Sequence, residues 1–140
     1  MATQEPETDV EQQITETFGA VPGPLAVIPE DDRDAEWPTF RKYTVGESEI
    51  PPKYRELIGL AVSANMKCPY CAHFHRKAAE MHGASEAELE EVQSLASFTT
   101  RYSTMPHASE YDLEQFKVEM AQMADHLQGR PVRTERLSSP

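Results

Sequence analysis

The residues RELIGLAVSANMKCPYCAHFHRKAAEMHGAS, numbers 55 to 85, decide how this chain folds. Leu57, Ile58, Leu60, Ala61 and Val62 are apolar on most sides of a helical wheel, so residues 53 to 65 are expected to form a largely buried helix. The small residues Gly59, Ala61, Ser63 and Ala64 would let a neighbouring helix approach closely. Pro69 suits the first position of a second helix, where a missing N–H is no loss and the ring already fixes a helical φ. That helix continues through AHFHRKAAEMH and stops at Gly83, a residue at ease in the left-handed turn that ends helices.

The same stretch holds both cysteines of the chain, Cys68 and Cys71, with His75 four residues beyond the second and Glu56 twelve before the first. Helical side chains advance about 100° per residue, which places Cys68, Cys71 and His75 within roughly 60° of one another. Cys68 stands at the cap of its helix, where unpaired N–H groups and the helix dipole favour a thiolate. His75 lies about 6 Å of helical rise from Cys71 and about 10 Å from Cys68, so reach favours Cys71 as the thiol whose proton it takes. A thioredoxin-like order, with Cys68 attacking, is the competing assignment. A zinc site is a further alternative, but His73 points about 200° around the helix from Cys71, so a fourth ligand such as Glu56 or His82 would be needed. Two inert buried thiols are the blandest option.

Working outward, the rest of the chain also reads as helices. In TDVEQQITETFG, Val10, Ile14, Thr17 and Phe18 form a stripe, with Thr8 as cap and Gly19 as stop. Pro22, Pro24 and Pro29 limit the next piece to one short turn around Leu25 to Ile28. A helix from Asp31 to about Tyr43 must kink at Pro38 or keep it near its start; Trp37, Phe40 and Tyr43 are its expected packing face. GESEIPP is a loop, with Pro51 or Pro52 entering the following helix. Ser85 and Glu88 form a capping box for a helix whose inner stripe is Leu89, Val92, Leu95, Ala96, Phe98 and Thr99, and which Pro106 should break near Met105. A last helix, about 110 to 127, carries Tyr111, Leu113, Phe116, Met120, Met123 and Leu127 as its stripe. No stretch alternates with period two, so the expected fold is all-α with about six helices. Residues 1–6 are a polar lead, 7–128 one helical domain with its motif core at 50–96, and 129–140 a polar, mobile tail.

Composition narrows the function. With 140 residues the chain can build one real core. A net charge of −11 argues against nucleic acid and against an anionic membrane surface. The acidic, polar N-terminus lacks the pattern of a secretory signal, and no apolar run reaches membrane-spanning length, which together imply the cytoplasm. There a CxxC pair is catalytic or metal-bound rather than a permanent bridge. The acidic excess also suits a high-salt interior, where screening relieves self-repulsion.

The spacing E-x11-C-x2-C-x3-H, the phrase from Arg55 to Ser85 and the Glu-rich helix after it resemble the AhpD-like alkylhydroperoxidases of the carboxymuconolactone decarboxylase superfamily. The likeness is specific over residues 50 to 96 and softer from about 11 to 49 and from 97 to 127. It implies an all-helical fold, assembly into trimers or hexamers, and either reduction of organic hydroperoxides or service as a disulfide relay for a peroxiredoxin. Carried over by position, the resemblance implies that Cys71 attacks the peroxide, Cys68 resolves, His75 stands beside the thiol, and Glu56 accepts the relayed proton. A redox-active disulfide would then join Cys68 and Cys71. Tyr70, between the cysteines, is an optional donor. The scheme asks for an organic hydroperoxide and an external thiol or dithiol reductant, and for no metal, flavin, haem or other cofactor. No Gly-rich dinucleotide loop is present in the sequence.

Overall fold

The computed structural model describes residues 9–132, and every regular element among them is an α-helix. Seven follow in order: α1 Val10–Phe18, α2 Gly23–Ala26, α3 Glu30–Thr44, α4 Pro52–Met66, α5 Pro69–Met81, α6 Glu86–Ala108 and α7 Leu113–Leu127. The expected all-α class holds, and the single turn around Leu25 is the seventh helix. The chain divides into two compact units, Met1–Val92 and Gln93–Pro140.

Two apolar clusters organise the first unit. In one, Ile14 of α1, Leu25 of α2 and Trp37 of α3 are buried, with Val10, Phe18, Val21, Ile28 and Phe40 packed around them. The Trp37 indole N–H donates to Gln13 Oε1 at 3.0 Å, so the buried ring keeps its polar edge satisfied. Asp9, rather than the expected Thr8, caps α1 by accepting the Glu11 N–H; Thr8 lies outside the described residues, as does the polar lead. Tyr43 leaves the expected packing face and is 54% exposed, under the Lys42 ammonium. Positions spaced by three slip about 60° backward each time, so Tyr43 has turned about 120° from Trp37. Pro38 sits well inside α3 rather than near its start, where it withholds one helical N–H.

The second cluster joins α4, α5 and the start of α6: Leu57, Leu60, Ala79 and Leu89 are buried, with Ala72, Ala84 and Val92 against them. The expected capping box forms, Ser85 Oγ accepting the Glu88 N–H at 3.2 Å and Glu88 Oε2 accepting the Ser85 N–H at 2.8 Å. Lys53 Nζ donates to the other Glu88 oxygen at 2.7 Å, tying the start of α4 to the start of α6. The Lys53 ammonium, and then the Ser85 N–H, hold the Glu88 carboxyl below its ordinary range. Leu89 is fully buried beneath this arrangement. Leu89→Ala should therefore cost about 2–5 kcal/mol, read as a lower denaturant midpoint at unchanged slope.

Burial is narrower than the apolar pattern suggests. In α4 the buried positions are Glu56, Leu57, Leu60 and Ser63, while Ile58 and Val62 are exposed, contrary to a helix buried on most sides. One face meets α5, and the opposite face is bare among the described residues. In α6, Leu89 and Ala96 are buried but Leu95 and Phe98 are exposed. The α7 stripe of Leu113, Phe116, Met120, Met123 and Leu127 is exposed, as is Tyr111; the buried residue of α7 is Asp125, bonded to Arg130. Arg130 also donates its N–H to the Asp125 carbonyl, so the expected mobile tail is anchored at its beginning; residues 133–140 are outside the described residues. Pro106 does not break α6 near Met105, since the helix ends one turn later at Ala108. A proline in a final turn withholds one donor and leaves little helix beyond it to disrupt.

Candidate active site

The link between α4 and α5 is two residues long, Lys67 and Cys68. Lys67 takes the left-handed conformation, φ 56° and ψ 36°, and its N–H donates to the Ala64 carbonyl at 3.2 Å. The Cys68 N–H reaches back to the Ser63 carbonyl at 3.1 Å. This paired closure usually employs glycine at the left-handed position, so Lys67 carries local strain of roughly 1–2 kcal/mol. Its effect is to turn the chain sharply and set Cys68, in extended conformation, at the N-cap of α5 with Pro69 next.

Cys68 Sγ accepts the Cys71 N–H at 3.4 Å. The Cys71 side chain bonds to the same sulfur, and these two contacts, with the Tyr70 N–H, pull the Cys68 thiol below its ordinary range against a small opposing effect of burial. The Cys71 thiol moves the other way, raised first by its bond to Cys68 and then by burial and by the Cys68 charge. Of the two thiols, Cys68 is thus the easier to ionise and Cys71 the harder. Cys68 is half-buried, Cys71 is exposed, and both are free thiols.

One turn beyond Cys71, His75 Nδ1 lies 2.8 Å from Oε2 of Glu56, which α4 presents from the facing helix. Glu56 is only 3% exposed, whereas the imidazole is 28% exposed. A buried carboxylate facing Nδ1 favours the tautomer with hydrogen on Nδ1 and leaves Nε2 as the basic nitrogen. Phe74 sets its ring edge-on to the imidazole at 5.2 Å. Cys68, Cys71, His75 and Glu56 are therefore carried by a single helix pair and its link, as their spacing predicts. His73 and His82 are exposed, and among the described residues no three His, Cys, Asp or Glu side chains converge as a metal site requires. Glu56, which a zinc site would have needed, is committed to His75. Tyr70 is 82% exposed.

Sequence reasoning missed what Gly59 faces. A Cβ built on it would fall 2.5 Å from His75 Nδ1 and 2.7 Å from Cγ, so the part of the neighbouring helix that comes nearest to it is the imidazole. Its place three residues after Glu56, on the same helical face, was the available signal.

The model of the Carboxymuconolactone decarboxylase family matches residues 34–112, more than half of the chain. The chain belongs to that family. Within it the chain is AhpD-like: the crystal structure of the alkylhydroperoxidase AhpD core from Rhodospirillum rubrum superposes with a TM-score of 0.65 at 27% identity, covering 74% of this chain and 79% of that one. Over 69 residues, 48% of its length, the chain is 32% identical to an alkyl hydroperoxide reductase of Mycobacterium tuberculosis. The match spans 20% of that relative's own length.

Proposed function

We propose that this chain is a dithiol peroxidase that reduces organic hydroperoxides in the cytoplasm, through residues 7–128. The observation that carries the proposal is the Glu56–His75 pair, 2.8 Å between oxygen and nitrogen, standing one helical turn from a CxxC pair capped on the helix dipole. The names of the similar proteins, a hydroperoxide reductase and an alkylhydroperoxidase, support the same chemistry.

In the proposed cycle His75 Nε2 takes the Cys71 proton. The Cys71 thiolate attacks the terminal oxygen of ROOH, the O–O bond breaks, and the proton passes from the imidazolium to the departing alkoxide, giving Cys71 sulfenic acid and ROH. Cys68 thiolate then attacks the sulfenic sulfur, the S–O bond breaks, and the departing hydroxide takes up the proton that Cys68 gave to solvent, leaving the Cys68–Cys71 disulfide and water. An external dithiol restores both thiols and is itself oxidised to a disulfide. Glu56 holds the imidazole in register and stabilises it while it is charged. Stopped-flow mixing of the reduced protein with several organic hydroperoxides, followed by counting thiols, tests the scheme: two thiols should vanish per peroxide consumed, and peroxide-inert thiols would sink it.

A disulfide relay to a partner protein is the second reading, favoured by one observation: Cys71 and Tyr70 are exposed beside a thiol held below its ordinary range by the Cys71 side chain and N–H. It requires faster turnover of a protein disulfide than of peroxide.

We also propose a homo-oligomer, a trimer or a hexamer. Tyr54, Ile58, Val62 and Met66 recur every fourth residue along the bare face of α4, and all four are exposed. A single-file apolar ridge on the helix that carries Glu56 favours burial against another copy. Light scattering at micromolar protein in molar salt should give a multiple of 15.8 kDa, and a monomer there would refute it.

A further inference from the structure

We infer that Gly59 is a positioning residue whose missing side chain is the seat of the His75 imidazole, which rests on His75 serving as the base for Cys71. Gly59 lies in the middle of α4 with ordinary helical backbone, since the positive-φ glycines are Gly19, Gly83 and Gly129. Backbone conformation therefore does not call for glycine there, and alanine would be the better helix former. What calls for it is the imidazole: the absent Cβ would stand 2.5 Å from Nδ1 and 2.7 Å from Cγ, closer than carbon approaches any unbonded atom. Nδ1 is the same nitrogen that meets Glu56 at 2.8 Å. The ring is 28% exposed, so it has solvent to retreat into, whereas Glu56 is buried at 3% and cannot follow it. A methyl group at position 59 thus moves the imidazole and leaves the helix in place. The moved ring loses its carboxylate and with it the preference that keeps Nε2 unprotonated. Glu56 and Gly59, one turn apart on α4, act as the two walls of one slot, one polar and one empty.

Gly59→Ala, His75→Gln and the unsubstituted protein separate the possibilities when three quantities are read on each. Thermal unfolding of Gly59→Ala should occur at a somewhat lower temperature, because the buried Glu56 carboxylate loses its partner and this outweighs the helix preference of alanine. The imidazole 15N signals of His75, identified by their loss in His75→Gln, should report the Nδ1–H tautomer in the unsubstituted protein and a mixture in Gly59→Ala. Single-turnover oxidation by an organic hydroperoxide should slow tenfold or more, up to about 10²-fold, as for a misplaced catalytic group. A Gly59→Ala protein that keeps both the tautomer signal and the rate would overturn the inference. Should His75→Gln leave the rate untouched, it is the role of His75 that fails, and the tautomer signal alone still decides the seat. If Gly59→Ala does not fold, the double variant Gly59→Ala/His75→Ala decides: recovery of folding places the clash at the imidazole, and continued failure places it elsewhere and defeats the proposal.

Discussion

Cys71→Ser should lose peroxide consumption altogether, whereas Cys68→Ser should complete one turnover and stop with a sulfenic acid on Cys71 that a dimedone-type probe captures. The opposite shifts of the two thiols make this prediction a sharp one, because Cys68 loses its proton more readily than Cys71. Thiolate abundance alone would make Cys68 the attacker. Peroxide reduction, however, needs a proton delivered to the departing alkoxide as well as a nucleophile. The acid that can deliver it, His75, is one turn from Cys71 and nearly two from Cys68. Alkylation by iodoacetamide has no such need, since iodide leaves unprotonated. The same protein should therefore be alkylated first at Cys68, at pH values below those at which a free thiol reacts, and oxidised by peroxide first at Cys71. Mass spectrometry of the two reactions run side by side reads both outcomes. A sulfenic acid trapped at Cys68 in the Cys71→Ser variant would reverse the assignment and restore the thioredoxin-like order.

The second large effect concerns the Glu56–His75 pair. His75→Gln removes the imidazole one turn from Cys71, and peroxide attack should slow by about 10²–10⁴-fold, with both thiols still titratable. Glu56→Gln should be milder. Glutamine keeps an oxygen able to accept from Nδ1–H, so the tautomer survives and only the counter-charge to the imidazolium is lost. A hydrogen bond to a charged partner is worth about 1.5–3 kcal/mol, which corresponds to a slowing of roughly tenfold to 10²-fold. Rapid-mixing rates on the two variants test the ranking. Equal losses would mean that the charge of Glu56, rather than its hold on the ring, is as necessary as the imidazole itself, and an unchanged rate in both would remove the pair from the mechanism.

How much of this was legible in the sequence depended on whether the deciding interaction was local. The start of α5 at Pro69, the Ser85–Glu88 box, and the stops at Gly19 and Gly83 are settled within a turn of chain, and each stands where the sequence puts it. The Glu56–His75 approach spans nineteen residues, yet it was anticipated because the spacing of a known family carried it. Burial was misjudged where it depends on what covers a face. Ile58, Val62, Leu95, Phe98 and the α7 stripe have the right period but are exposed among the described residues, and periodicity does not say whether a face is covered. Tyr43 failed for a simpler reason, since a three-residue spacing is not the helical repeat. Gly59 was noticed as admitting a neighbouring helix, and α5 does lie there, but a small residue in sequence does not show which side chain of that helix it faces.

The two-residue link between α4 and α5 also bears on the order in which the molecule comes together. Closing so short a connection forfeits little chain entropy, and helix pairs of low sequence separation are among the earliest structures a chain can form. Glu56, Gly59, Cys68, Cys71 and His75 all lie on that pair or on its link. The residues proposed to carry the chemistry thus lie on the part of the chain whose closure gives up the least entropy.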